Sequence, residues 1–394
     1  MIELRDIPEG DVERMVDLAG VVFHTRVEKS EYENETWRPR RAERVGAYDG
    51  KDLVGQLAAF PARLAVPGAV LDCSAVTLVG VLPTHRRRGV LTSMMDRMHA
   101  DAVAAGRPVA ALWASQSVIY GRYGFGAATR SIDLEVDSSR ELRLRTEPDP
   151  APLRLLDTAS APEILDPIYT RALSRRPGSL LRDPEWWSRS VLPSTDREAP
   201  GFTEPRVVVH PAGYAVYRTD SEKTVRLDEL FAETPQVEAA LWRYLASVDL
   251  TTRIQAHGRP VDDLLPRMAV DPDQVSHKGE WAALWLRLVD VPAALRSRSW
   301  AADDAFVLEV RDPRVPANEG RWRLRVGAAP ACDRTEEPPD LTLSAADLAA
   351  VYLGGTPVTT LVRIGAVTEH TPEAAARLDA ALAVPFAPYI ADQF

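Results

Sequence analysis

The amino-acid sequence predicts an α/β protein built from three units. Strands and helices alternate along roughly the first 145 residues, the mark of an α/β domain. The same order of hairpin, long strand, helix and strand recurs in the middle of the chain. At 394 residues the chain is also too long for one ordinary core, so two or three domains are expected.

Taken in order, residues 1–7 alternate like a strand, and Val12, Met15, Val16, Ala19, Val22 and Phe23 recur at helical spacing. Residues 44–48 and 53–64 read as two strands joined at Asp49-Gly50, a strong short hairpin signal. Gly68 turns the chain into a long strand over 70–82. An arginine-rich loop, a helix, a strand over 109–113, a short helix and a strand over 127–136 follow. On the first of these helices Leu91, Met94, Met95, Met98 and Ala102 form one apolar stripe, which leaves Asp96, Arg97 and His99 outside. The charged, proline-bearing segment over 137–152 marks a domain boundary.

The second unit shows helices over 164–173 and 183–190, the latter carrying Trp186-Trp187. Strands over 206–210, 213–218 and 224–232 lead to a helix with Val237, Ala240, Leu241, Tyr244, Leu245 and Val248 on one face, then a short strand over 254–256. Between its long strand and its helix stands Glu233-Thr234-Pro235-Gln236, with no arginine-rich, glycine-bearing turn. A third unit opens at Trp285 with a helix over 293–298 and paired strands over 305–310 and 321–326. A strand over 341–343 follows, then a helix capped by Ser344 and ended by Gly354-Gly355, then a helix opened by Thr371-Pro372. The expected domains are residues 1–146, 147–284 and 285–394.

Composition narrows the function. No apolar run of about eighteen residues exists to span a membrane, and the first residues lack the basic-then-apolar pattern of a signal peptide. Two cysteines, Cys73 and Cys332, lie far apart without metal-ligand spacing, so a disulfide framework or metal site is not expected and a reducing cytoplasm fits. The net charge of -10 repels nucleic acid and would draw in cationic substrates, although acidity serves solubility as well.

The chemistry concentrates between Val79 and Phe125. A strand, then Pro83-Thr84-His85-Arg86-Arg87-Arg88-Gly89, then a helix, is a backbone cradle for a pyrophosphate. N–H groups converge at the helix N-terminus, whose dipole favours negative charge. Gly89 allows the tight backbone, and Arg86, Arg87 and Arg88 add charge-assisted bonds to phosphate oxygens. In isolation such a run is more often a solvated basic turn; its place between a strand and a helix reverses that balance. His85 reads as structural or surface. Tyr120 falls beyond the strand ending at Trp113, where α/β ligands bind. A phenol, with an ordinary pKa of about 10, stays protonated and is able to protonate a leaving thiolate, whose thiol has a pKa of about 8.5. Tyr123, in Arg-Tyr-Gly-Phe, reads as a packed aromatic, and Ser115 as a hydroxyl near the cofactor or a helix cap.

Pro83 through Gly89, followed by Tyr120-Gly121-Arg122-Tyr123-Gly124-Phe125, resembles the GNAT superfamily of N-acetyltransferases. Trp285-Leu286-Arg287-Leu288-Val289-Asp290-Val291-Pro292-Ala293-Ala294-Leu295, Tyr352-Leu353-Gly354-Gly355 and a final Phe394 are similar to its Eis (enhanced intracellular survival) branch. The resemblance implies two tandem acetyltransferase-like folds, the second degenerate, and a sterol-carrier-like α+β C-terminal domain. It implies acetyl-CoA as cosubstrate, held by the backbone of Val79, Gly80 and Val81 and by Arg87, Arg88, Gly89, Val90, Leu91 and Thr92, with Ser115 and Gln116 near the pantetheine. Leu91 departs from the superfamily's small residue two places after the glycine. Tyr120 is implied as general acid and the terminal carboxylate of Phe394 as general base. An α-carboxyl of pKa about 3.5 is a weak base unless burial raises it or water relays the proton. Phe23, Trp37 and Trp187 align with an acceptor pocket, although each is more often a core residue.

These implications converge on acetyl transfer to a primary amine of a cationic acceptor, with aminoglycosides the family's suggestion, and on a homohexamer. A protein lysine is the second acceptor class. A non-catalytic acyl-CoA or apolar-ligand binder is the rival of another kind.

Overall fold

The computed structural model describes residues 2–194 and 200–394. Met1, read as the start of the first strand, lies outside the described residues. The chain forms two compact units: residues through Thr129 with Ala283–Val384 and Phe394, and Arg130–Ala282 with Pro385–Gln393. Among the described residues no helix is long and apolar enough to cross a membrane.

In the first unit a seven-stranded sheet runs in the order Ile2–Asp6, Glu43–Asp49, Asp52–Val66, Ala69–Val81, Val109–Trp113, Leu284–Leu288, Gly126–Ala127. Only Ala69–Val81 and Val109–Trp113 pair in parallel, and the helix Val90–Ala104 makes the crossover such a pair needs. The hairpin turn at Gly68 needs its positive φ of 73°.

Alternation sorts the two faces of this sheet. The Gln56 amide donates to the Met15 carbonyl at 2.8 Å, and a Cβ on Gly80 would stand 3.2 Å from Val22. That face therefore carries the helix Val12–Phe23. Leu57, Ala59, Val76 and Val81 cluster instead with Met94, Met95 and Met98 of the crossover helix. His99, expected outside that helix, is 2 % exposed. Its ring stacks on Phe125 at 6.1 Å, so the turn after Tyr120 covers a side that the stripe left open.

The strand read over 127–136 is two strands. Gly126–Ala127 belongs to the first sheet and Arg130–Asp137 to the second. Ala128 and Thr129 both donate N–H to the Leu284 carbonyl, which breaks the run. Leu284–Leu288 itself inserts between Val109–Trp113 and Gly126–Ala127. Its Arg287 is fully buried and paired with Asp312 at 2.5 Å.

A five-stranded sheet completes this unit, in the order Ala331–Arg334, Gly320–Val326, Asp304–Arg311, Leu341–Ser344, Thr368–Glu369. The Ser344 hydroxyl caps the helix Ala345–Val351 by accepting from Asp347 N–H at 3.1 Å. That helix lies so close to Gly126 that a Cβ there would collide with the Ala346 carbonyl. Cys73 and Cys332 are buried free thiols, and burial pushes both up to about 12.

The second unit has its own seven-stranded sheet: Val275–Ala282, Arg130–Asp137, Arg253–Pro260, Thr224–Ala232, Gly213–Thr219, Arg206–His210, Arg154–Leu156. Its parallel pair is again bridged by a helix, Pro235–Ala246. Thr234 caps that helix, Pro235 removes an N–H, and Arg175 donates to the Glu233 carbonyl at 2.7 Å. No anion cradle survives there.

A buried charge network holds this unit. Arg182 pairs with Glu229 and with Asp392, all but inaccessible to solvent. Asp392 also accepts from Trp186 Nε1 and the Tyr169 hydroxyl, each at 2.9 Å. Burial opposes the charge on Arg182, yet the two carboxylates hold its pKa well above the ordinary value. Arg182→Met leaves both carboxylates buried without their cation. We expect a loss of about 3–5 kcal/mol, read as a lower denaturant midpoint in urea unfolding.

Candidate functional site

A kink in Ala69–Val81 begins the site. Leu78 has φ 52°, a left-handed conformation that bulky side chains avoid. Register passes from Ala58↔Thr77 to Gln56↔Gly80, so Leu78 and Val79 stand opposite Leu57 alone. This is a β-bulge, which bends the strand. The parallel pairing with Val109–Trp113 ends at Val76↔Leu112. Beyond it, residues 79–81 have no neighbouring strand on this side; the Val81 carbonyl is met by Arg86, and Val79 faces the gap.

The Arg-rich turn follows. Arg87 and Gly89 both have positive φ, 63° and 79°, which curls the backbone into a concave row of N–H groups. The first N–H of the helix to find a helical acceptor is Ser93, on the Gly89 carbonyl at 3.0 Å. Those of Val90, Leu91 and Thr92 are left for a ligand. A Cβ on Gly89 would meet nothing within 4 Å. Glycine is needed here for its φ, and the space above it is open, which fits a pyrophosphate.

The three arginines are exposed but not equivalent. Arg86 Nε donates to the Val81 carbonyl at 3.1 Å and braces the turn. Arg87 and Arg88 make no ion pair among the described residues. His85 is bonded to the Thr84 hydroxyl and lies 3.5 Å from Asp49, a structural role.

Tyr120 ends the short helix Ser117–Tyr120 and is 4 % exposed. Burial raises its pKa, and a hydrogen bond with Ser115 counters part of that rise. The phenol is therefore neutral and ready to donate. Ser115 is not the helix cap, a position held by Gln116; both are exposed. Tyr123 is buried and shares a hydrogen bond with the Thr92 hydroxyl at 3.1 Å. Beneath it, a Cβ on Gly124 would collide with the Arg287 guanidinium.

The cradle, the kinked strand and Tyr120 thus come together at one end of the first sheet. Phe394 also belongs to this unit; its ring meets Phe60 edge-to-face at 5.6 Å. The expected acceptor aromatics divide. Phe23 is 39 % exposed, whereas Trp37 is 6 % exposed and stacked under Arg38 at 4.8 Å. Trp187 is 1 % exposed, packed on Tyr169 and Tyr214, with its indole N–H bonded to Asp166 in the core of the second unit. Sequence reasoning missed Phe60, which no local motif marks, and the burial of Arg287, which lies within the Trp285–Leu295 motif.

Family models agree with this architecture. Models described as acetyltransferase (GNAT) domains match residues 3–128 and 178–326, and one described as a sterol carrier protein domain matches 291–391. The last two overlap. Asp304–Arg311 and Gly320–Val326 share a sheet with Leu341–Ser344, so we group them with the sterol carrier match. An uncharacterized N-acetyltransferase of Streptomyces coelicolor is 39% identical, covering 93% of this chain and 92% of its own. The N-acetyltransferase Eis of Mycobacterium bovis is 36% identical over 86% of this chain and 85% of its own. The crystal structure of an Eis protein from Mycobacterium abscessus matches with a TM-score of 0.87 and 33% identity, covering 100% of both chains. The chain belongs to the Eis family of GNAT acetyltransferases.

As an Eis-family enzyme it is an acetyl-CoA-dependent N-acetyltransferase, and the fold implies acetyl-CoA as cosubstrate. In Gly89→Ala, the methyl meets no protein atom, so the stability cost is confined to left-handed strain of about 1–2 kcal/mol. The same methyl intrudes on the cradle. We expect KM for acetyl-CoA to rise about tenfold, with the fold retained by circular dichroism.

Proposed function

We propose that this Eis-family site transfers acetyl from acetyl-CoA directly to a primary amine of a multi-amine cationic acceptor of the aminoglycoside class. The buried, neutral Tyr120 hydroxyl beside the kinked strand carries the reading. Backbone N–H on the open edge of Val79–Val81 would polarise the thioester carbonyl, and the N–H row over Gly89–Thr92 would hold the pyrophosphate. Tyr120 would protonate the departing thiolate, while Ser115 supports the phenolate left behind. Bringing both reactants together in one complex supplies much of the acceleration without a covalent enzyme intermediate.

The α-carboxylate of Phe394 is the base in this proposal. Phe60 stands on the same strand face as Gln56, the face that carries the helix Val12–Phe23 with its exposed Phe23. A Phe394 ring seated on Phe60 supports a carboxylate on the acceptor side. The chain's net charge of -10 favours a cationic acceptor in the same direction. A homohexamer in the cytoplasm belongs to the same proposal, and sedimentation velocity tests the assembly.

An acetylation assay over a panel of amines, with product masses, tests activity, acceptor class and the number of acetyl groups together. Acetylation confined to lysine peptides would overturn the acceptor class, and no CoA release with any amine would overturn the transfer. For Tyr120→Phe we expect kcat to fall about 10²–10⁴-fold with KM for acetyl-CoA nearly unchanged. In the wild type the raised phenol pKa should keep any alkaline loss of kcat assignable to Tyr120 above pH of about 10. Removal of Phe394, or a tag fused after it, is expected to lower kcat/KM for the amine by at least about tenfold while leaving acetyl-CoA binding intact by calorimetry.

A further inference from the structure

The turn that presents Tyr120 is docked onto the helix that begins at the pyrophosphate cradle. Two residues of that helix contact the turn directly, and a third reaches it through Arg314. Thr92 shares a hydrogen bond with the Tyr123 hydroxyl at 3.1 Å. Asp96 lies 3.5 Å from Arg314, whose guanidinium sits 5.7 Å from the Tyr123 ring centre. His99 stacks on Phe125. Positions 92, 96 and 99 fall at i, i+4 and i+7, so they line one face of the helix over about 10 Å of rise. Phe125 also packs edge-to-face on the Tyr120 ring at 6.3 Å, and its N–H donates to the Tyr120 carbonyl at 3.3 Å.

We propose that Tyr123 is a positioning residue: its hydroxyl, tied to Thr92, fixes the Tyr120 hydroxyl at a set offset from the cofactor whose pyrophosphate lies at the start of the same helix. The inference rests on the general-acid reading of Tyr120. One ligand spans the cradle at one end and the acid at the other, so the distance between them must match the length of the cofactor. The hydrophobic contacts in the turn hold Phe125 and the ring of Tyr123 but do not set a polar register. Met95, between Thr92 and His99, is apolar and buried. The Thr92–Tyr123 pair is the polar contact between this helix and the Gly121–Tyr123 turn, at the end of the helix where the cofactor is held.

Tyr123→Phe removes the hydroxyl and keeps the ring. The expected result is a fall in kcat of about tenfold with the dissociation constant for acetyl-CoA unchanged within about twofold. The decisive comparison uses Tyr120→Phe as background. A residue that works only through Tyr120 has nothing left to position there, so Tyr123→Phe should leave the residual kcat of Tyr120→Phe unaltered. An equal tenfold loss in both backgrounds, or a loss expressed in acetyl-CoA affinity instead of kcat, would overturn the proposal. A wild-type kcat in Tyr120→Phe itself would overturn the general-acid reading, a separate outcome. Circular dichroism and melting of each variant identify any protein that fails to fold. Should Tyr123→Phe be one of these, Tyr123→Leu in the two backgrounds carries the same comparison, from kcat at saturating acetyl-CoA.

Discussion

The bulge at Leu78 is the constraint on which the first unit depends. A leucine in the left-handed region costs about 1–2 kcal/mol, and the extra residue forfeits ladder pairing as well. Both costs are met by the long hairpin around it, which pairs from Val66↔Ala69 to Gly55↔Val81. What the strain produces is a gap. Two strands that run parallel up to Val76 and Leu112 separate, so the backbone edge beyond them has no strand partner. Backbone groups left without partners are costly, which makes the gap a candidate site for a ligand with amides of its own. The crossover helix then delivers its N-terminus to the end of the same strand. The strand gap and the helix N-terminus beside it follow from one distortion and one connection.

The second unit repeats the distortion without its consequence. There the register passes from Val216↔Glu229 to Tyr217↔Leu227, with Asp228 as the extra residue, and the parallel pairing stops at Leu227↔Ala256. The opening is answered internally. Arg259 donates to the Leu230 carbonyl at 3.0 Å and pairs with Asp263 at 2.8 Å. A side chain of the unit meets the strand edge at Leu230, whereas in the first unit Arg86 meets the Val81 carbonyl and Val79 is left facing the gap. The difference between a cofactor-binding copy and a degenerate one thus lies in what fills the gap, as much as in the lost arginine turn.

Local patterns made most of this legible. Helical spacing outlined Val12–Phe23 and Val90–Ala104, and turn residues outlined both hairpins of the first sheet, because those signals depend on near neighbours. The candidate cofactor end could be read as a unit for the same reason: the arginine-rich turn, Gly89 and Tyr120 lie on one continuous stretch. Missed elements had weak local signals. Tyr32–Arg40 is polar and carries Pro39 inside the helix, and Val275–Ala282 is an edge strand with no fully buried residue. His99 was misjudged because the group that buries it, Phe125, arrives from another element. The burial of Trp187 by Tyr169 and Tyr214 was hidden on the same ground, since it depends on long-range packing.

The hardest feature to read was the insertion of Leu284–Leu288 beside Val109–Trp113, and Arg287 explains how it is specified. Leu284, Leu286 and Leu288 alternate on one face, so a slip of two residues would keep every leucine on its side. Apolar patterning alone does not choose between those registers. Arg287 does. In the observed register its guanidinium meets Asp312 at 2.5 Å and occupies the space that Gly124 leaves open. Asn318 completes the arrangement, bonding Asp312 at 3.0 Å and the carbonyls of Leu288 and Val289. Burial lowers the Arg287 pKa, and Asp312 opposes that shift. In a slipped register the same arginine would be buried without its carboxylate, an error worth several kcal/mol. The ion pair adds little net stability over an apolar pair of the same size. Its contribution is to select one register, and that register sets the floor on which the Tyr120 turn rests.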